Sequence, residues 1–421
     1  MEDILHYVWK FRLFQKDLKT TTGTPIEVID VGLSNTNEGP DFFNAKIKIG
    51  DKLWAGNIEI HRSSSDWTKH KHQTNKSYNS VILHIVEKVD CAVYNELQQE
   101  VPQCEITYPK HIDENYSFLI HSNTDIACCN YIGSTPPFHM NSWMNSLLIE
   151  RLERKSNHIS DLLKQFNNSW DDVFYILLSR NFGFGLNSDS FERLAQSLPL
   201  KYIQKQGDNL IQIEALLFGQ AGMFDDIEKK DDYFVLLQKE YEFLRNKYEL
   251  EPLDLYIFKK LRTRPTAFPQ IRIAQLAALL HSSHGLFSKI ISCQDIGRIR
   301  LMFHVNASEY WQTHYQFGVT SERKSKYLGD ASLDIILINT VAPILFAYGK
   351  AINSEEHCER ALLFLETIKP ELNSITKRFS KLKVPLKNAA DSQAIIQLKR
   401  EYCELRKCLF CRVGHQLLTM K

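Results

Sequence analysis

Gly39-Pro40-Asp41-Phe42 and, one alternating segment later, Gly56-Asn57-Ile58-Glu59-Ile60-His61 decide how this chain is to be read. Between them Ala45, Ile47 and Ile49 alternate with Lys46 and Lys48, the period-2 pattern of a half-buried strand. Gly50-Asp51 is a turn signal, so a second strand is expected from Leu53 to Ile60. Asp41 then stands at the start of the first strand and Glu59 inside the second. Side chains at i and i+2 share a face, so Glu59 and His61 point the same way. Two carboxylates on neighbouring strands beside a basic group suit Mg2+ or Mn2+, the ions that assist phosphodiester hydrolysis.

Upstream, Ile4, Leu5, Val8, Trp9, Phe11, Leu13 and Phe14 form an apolar stripe that predicts a helix over 3–18, and Ile26 to Val31 reads as a strand. Downstream lies the polar stretch Arg62 to Ser77, with Trp67 in its middle. Val81 to Val86 then gives an apolar strand interrupted only by His84, and Val93-Tyr94 and Cys104 to Tyr108 extend the strand-rich region. This order predicts an α+β domain over 1–125. Over 140–421 the periodicity turns helical, from Trp143 to Phe166 through to a last helix over Ser392 to Leu418, with no fixed-period repeat. The expected fold class is α+β, a sheet domain followed by a mostly α-helical one.

A chain of 421 residues is too long for one core and should hold two or three domains. Its net charge of +1 supplies no basic field over the whole molecule, so a nucleic-acid partner has to be met by a local patch. The opening Met1-Glu2-Asp3 lacks a basic and then apolar leader, and the longest apolar run, Ile335 to Tyr348, is interrupted by Asn339, Thr340 and Pro343. With nine cysteines, an odd number, the expectation is a cytoplasmic protein with no membrane partner, its thiols reduced or metal-bound.

His61, His70, His72 and His84 crowd the region of the two carboxylates, and Ser65, Asp66 and Tyr78 add hydrogen-bonding groups. Imidazole is the commonest transition-metal ligand, so a Zn2+, Mn2+ or Fe2+ hydrolase of a substrate other than nucleic acid is a second reading. The plainer reading makes His70 and His72 solvated and His84 a hydrogen-bonded core residue.

At the other end, Cys403, Cys408, Cys411 and His415 follow a C-x4-C-x2-C-x3-H spacing. On one helix, at about 100° per residue, the last three fall within about 60° of one another. They can form a Cys3His zinc site, or an iron–sulfur site completed by Cys358, Cys293 or the pair Cys128-Cys129. Buried apolar thiols on a helix face are the ordinary alternative. Lys259, Lys260, Arg262, Arg264 and Arg272 concentrate basic charge beside Phe268, a pattern able to grip a nucleic-acid backbone or to pair with helix acids such as Glu214.

The order helix, strand, Pro-Asp, hairpin, Glu-x-basic and strand resembles the restriction-endonuclease-like superfamily with its PD-(D/E)xK signature. The resemblance implies a mixed-sheet nuclease fold with Asp41 and Glu59 as metal ligands. His61 stands where the superfamily has Lys, as base or phosphate-polarising group, and Glu2 or Asp3 matches an acid on the first helix. The His at that position equally suits an inactive domain that binds nucleic acid or protein as a scaffold. Over nearly its full length the chain also resembles a bacterial family of unknown function. That second resemblance rests on Gly39 to Phe42, Glu59 to His61, Ser65 to Trp67, Val81 to Val86, Glu214 to Gly222, Arg264-Pro265, Phe268-Pro269 and Lys407 to Leu409.

Overall fold

In this computed structural model, which describes residues 2–224, 230–261 and 263–420, the first helix α1 (Glu2–Lys10) buries Ile4, Leu5, Tyr7, Val8 and Trp9. It stops well short of residue 18. Arg12 adopts a left-handed φ of 52°, the Arg12 amide donates to the Trp9 carbonyl and the Leu13 amide to the Val8 carbonyl. This is the Schellman ending, normally signalled by glycine. Arg12 adopts it while its guanidinium bonds the Val28 and Ile29 carbonyls, which fixes the turn by contacts distant in sequence.

The strands that follow are β1 (Leu18–Lys19), β2 (Pro25–Asp30), β3 (Leu33–Ser34), β4 (Phe42–Ile49), β5 (Lys52–Ser63), β6 (Val81–Lys88) and β7 (Gln103–Glu105). They form one sheet in the order β1-β2-β4-β5-β6-β7, with β3 beside β4. The β2, β4 and β5 pairings are antiparallel, whereas β5, β6 and β7 run parallel. The sheet is therefore mixed, and the fold class is α+β. A parallel β5–β6 pair demands a crossover. It is made by α2 (Asp66–Lys69) and two turns of 3-10 helix. Val93-Tyr94 does not become a strand: Tyr94 forms a single bridge with Glu100.

Gly56 sets the closeness of β5 to β6. A Cβ built on it would lie 2.4 Å from Ile82 Cγ2 and 2.7 Å from the Ser80 carbonyl oxygen. Gly56→Ala is therefore expected to destabilise the protein by about 1–3 kcal/mol through overpacking. A lowered denaturation midpoint checks this, and an unchanged midpoint would show that the two strands separate without cost.

The chain forms two compact units, 1–140 together with 398–421, and 141–397. The expectation of one helical domain reaching 421 is thus corrected, because the last segment belongs with the sheet. The single helix expected over 392–418 is corrected too. Helix gives way to a π-helical turn at Leu398–Cys403, a 3-10 turn follows at Cys408–Phe410, and helix resumes at Arg412–Thr419. Arg406, at φ 52°, makes the break: its amide donates to Cys403 and the next amide to the Tyr402 carbonyl. This is again a Schellman ending without glycine.

The second unit is mostly helical, with Trp170–Phe182, Leu210–Gln220 and Pro269–Ser282 among its buried helices and one short antiparallel pair, His314–Gln316 with Val319–Thr320. Asp330–Ala351 is long and apolar enough to cross a membrane by length and composition, and 67% of its apolar window is buried inside the protein. A π-helical stretch at Leu337–Val341 precedes Pro343 in this helix and accommodates a residue that has no amide to donate.

Candidate metal centre

Antiparallel register brings the two carboxylates together. Phe42 of β4 pairs with Ile58 of β5, so the residue before the one lies opposite the residue after the other. Asp41 and Glu59 brace each other's backbone there. The Asp41 amide donates to Glu59 Oε2 at 3.1 Å, and the Ile60 amide donates to Asp41 Oδ2 at 2.9 Å. The same Asp41 oxygen lies 3.2 Å from His6 Nε2, which α1 supplies.

Imidazoles close round the other carboxylate. Glu59 Oε1 lies 3.2 Å from His72 Nε2 and 3.5 Å from His61 Nε2. His61 Nε2 is 3.0 Å from His70 Nδ1, and His61 Nδ1 is 2.8 Å from His84 Nε2. His84 reaches it because β6 lies parallel to β5 with His84 paired to Glu59. One nitrogen each from His61, His70 and His72 lies within 4.8 Å of the others. Lys71, between the last two, holds a left-handed φ of 63° that turns the chain so both rings face the sheet.

Below the rings lies an aromatic floor. Tyr78 stacks on His72 with centroids 3.8 Å apart, and the Trp67 ring meets His72 at 5.4 Å and His84 at 5.2 Å. Trp67 is wholly buried and donates its Nε1 proton to the Tyr94 carbonyl.

The electrostatics follow from burial. Desolvation, with the Asp41 charge adding to it, pushes Glu59 up to about 9. Desolvation, with the neighbouring rings adding to it, pulls His61 and His84 down to about 3, and His72 is lowered by burial as well. These rings are neutral near pH 7, the form that ligates metals. Burial also acts to lower His6, but Asp41 beside it outweighs that, and its pKa is raised.

The donor set fits a divalent transition ion. Neighbouring donor atoms in a six-coordinate shell with bonds of about 2.1 Å lie roughly 3 Å apart, close to the separations of 3.0 to 3.5 Å among the His61, His70, His72 and Glu59 atoms. Buried His6 Nε2 and His72 Nε2 lack hydrogen-bond geometry toward the carboxylates they approach. Mixed oxygen and nitrogen donors favour Mn2+, Zn2+ or Fe2+ over Mg2+. Because Glu59 holds its proton near pH 7 until an ion arrives, binding is expected to release about one proton per ion. Calorimetric titration with Mn2+ in two buffers of different ionisation enthalpy checks this, and a heat independent of buffer would contradict it.

The structure groups Asp41, Glu59, His61, His70, His72, His84 and Tyr78. Ser65 stands apart, its amide and hydroxyl bonded to Asp90, and Asp66 is engaged with Lys69 and the Ser63 amide. His6 is the member that sequence reasoning missed in favour of Glu2 or Asp3. A signal was present: a lone imidazole one turn from Glu2, among Leu5, Val8 and Trp9. Of the basic patch, one described member leaves the surface. Arg272 lies over the Phe184 ring at 4.1 Å and bonds Gln275 and Ser332, so it is turned inward, with its pKa pulled down to about 10 by burial. Lys260 is half-buried against Gln316, Lys259 and Arg264 are exposed, and Arg262 lies outside the described residues. Glu214 bonds Tyr233 rather than an arginine. At the C-terminal end, His415 does not join Cys403, Cys408 and Cys411 on one helical face. The helix breaks between Cys403 and Arg412, His415 does not line the cavity the three thiols share, and its Nδ1 lies 2.8 Å from the Tyr7 hydroxyl.

No curated protein and no solved structure matches the chain. A family described as a protein of unknown function (DUF2851) matches residues 2–374, nearly the whole length, and the chain belongs to that family.

Proposed function

We propose that the protein is a metal-dependent hydrolase of nucleic-acid phosphodiesters, working with a transition ion such as Mn2+ held by Asp41, Glu59 and the imidazoles around them. The observation that carries the reading is the meeting of two carboxylates from adjacent antiparallel strands beneath a fan of histidines. Strand order supports it. A helix, a three-stranded antiparallel meander with the Asp before its middle strand and Glu-x-basic in its third, then a crossover to a parallel strand, is the order expected of a PD-(D/E)xK domain.

An ion at this place polarises a phosphoryl oxygen and lowers the pKa of bound water. The chain's residues divide the remaining work. Asp41 and Glu59 would hold the charge. His61, only 2% exposed, with Nδ1 bonded to His84 and Nε2 facing Glu59 and His70, is suited to be a ligand through Nε2 rather than a base toward water. His6 takes the part of the superfamily lysine. Its raised pKa keeps positive charge closer to neutrality, and it stands beside Asp41 with its side chain 32% exposed while Nε2 itself is turned in toward the carboxylate.

The test is cleavage of single- and double-stranded DNA and RNA by the purified protein with Mn2+, Zn2+, Fe2+ or Mg2+. Expected are activity greater with Mn2+ than with Mg2+, and its loss in EDTA. No cleavage together with no ion-induced rise in melting temperature would overturn the reading. The density of imidazoles favours a second reading, a hydrolase of small or carbohydrate esters, which ion-dependent cleavage of such esters but of no nucleic acid would select. Nucleic-acid binding that ignores EDTA, without cleavage, would instead select an inactive scaffold.

A further inference from the structure

Four cysteines from two distant stretches converge within the first unit. Cys403, Cys408 and Cys411 come from the C-terminal segment, and Cys128 comes from the loop after helix α3 (Lys110–Ile120). All four line one small cavity of about 20 Å³, whose other walls include Leu119, Ala127 and Gly414. That volume takes a single ion as it stands, and a cluster only if the walls part. The His that the linear spacing offered as a fourth ligand has been exchanged for a thiol that lies 275 positions before Cys403 in the chain.

The local chain is shaped to present these sulfurs. Arg406, in its left-handed turn, separates Cys403 from Cys408 and sends its guanidinium to the Ser122 and Thr124 carbonyls at 2.8 and 2.7 Å. That anchor draws the loop carrying Cys128 toward the break. The 3-10 turn then brings Cys408 and Cys411 to the same cavity. Gly414 closes the turn from behind, where a Cβ would lie 2.0 Å from the Cys408 carbonyl oxygen. Burial raises the Cys403 and Cys408 thiols, and Arg406 counters that rise in both, so basic charge stands within range of them. Burial raises the Cys128 thiol, and the three C-terminal thiols add to that effect, as expected of groups in mutual range.

We propose that Cys128, Cys403, Cys408 and Cys411 hold a soft metal centre, a zinc ion or an iron–sulfur cluster, that fastens the C-terminal segment to the loop after α3. Four thiolates are the set that both centres use, and C-x4-C-x2-C with one remote cysteine is a spacing found in iron–sulfur proteins. A cation compensates four buried thiolates that are otherwise costly to form. The site is separate from the carboxylate centre and does not depend on its function. Cys403, Cys408 and Cys411 also lie beyond residue 374, where the family match ends.

The test is zinc, iron and acid-labile sulfide content of the full chain purified without oxygen. About one zinc, or iron with equimolar sulfide, is expected per chain. This content should be lost in Cys128→Ser and in Cys408→Ser but kept in His415→Gln and in Glu59→Gln, the last separating it from any ion at the carboxylates. Zinc without sulfide identifies a single ion, and iron with sulfide a cluster; either supports the proposal. A wild-type protein that holds neither after reconstitution, or serine variants that keep full content, would overturn it. Should the serine variants fail to fold, chelation of the wild type followed by limited proteolysis supplies the answer. Cleavage within 398–421 should appear on stripping, and an unchanged digest would refute the fastening role.

Discussion

Glu59→Gln and Asp41→Asn are each expected to lower Mn2+-dependent hydrolysis by about 10²–10³-fold or more, the range for loss of one strong electrostatic stabiliser. Amides are the informative replacements, because each carboxylate also accepts a backbone amide from the neighbouring strand. The amide oxygen keeps that bond while the charge that holds an ion is removed. Alanine would break the brace as well and confound catalysis with folding. For Glu59→Gln a second outcome follows from its environment. Burial keeps the native carboxyl protonated far above its ordinary value, so the unfolded chain loses this proton near pH 4.5 and the folded chain only near 9. The metal-free wild type must therefore lose stability as pH rises through that window. Gln does not titrate, so the variant should resist this decline and equal or exceed the wild type in EDTA at pH 9. Denaturant unfolding at pH 5, 7 and 9 reads the difference. Parallel curves for the two proteins would show that Glu59 is ionised without metal.

Trp67→Ala is expected to cost about 3–5 kcal/mol, the range for deleting a fully buried aromatic side chain. Trp67 is 0% exposed and packs in one cluster with Tyr78, Val81, Val93 and Val101. Its ring also carries two of the histidines, so the stability loss should be accompanied by weaker ion binding. Trp67→Phe separates the two effects. It keeps an aromatic floor and gives up the bond to the Tyr94 carbonyl, a change of about 0.5–1.5 kcal/mol. Chemical denaturation and a Mn2+ titration of both variants check the pair. A loss under about 1 kcal/mol in Trp67→Ala would mean that the rings stand without support.

Much of the carboxylate centre was legible because strand periodicity is local. Alternation predicted β4, the turn at Gly50-Asp51 set the register as far as the Ala45–Gly56 pair, and i, i+2 spacing put Glu59 and His61 on one face. The bulge between Phe42 and Ala45, where Asn44 takes a left-handed φ of 54°, then shifts the register by the one residue that brings Asp41 opposite Glu59, and it was not legible. His70 and His72 were visible as residues but not as neighbours, since their direction depends on Lys71 taking a left-handed conformation that no lysine advertises. The helix ends at Arg12 and Arg406 were illegible for the same reason. In both, tertiary hydrogen bonds impose a conformation whose usual marker, glycine, is missing. Arg272 was misjudged because charge in a sequence does not say which way a side chain turns, and Phe184 with Gln275 draws it inward.

Should the proposed ion bind, the indole beneath the histidines, one of six tryptophans in the chain, would give an optical gauge of occupancy once the other five are replaced. A paramagnetic ion seated above Trp67 would lie within a few ring widths of an excited indole and drain its emission, whereas zinc would leave the light largely intact. Filling of the centre can then be followed in real time without an added dye, and the colour and lifetime of that emission would tell one kind of ion from another.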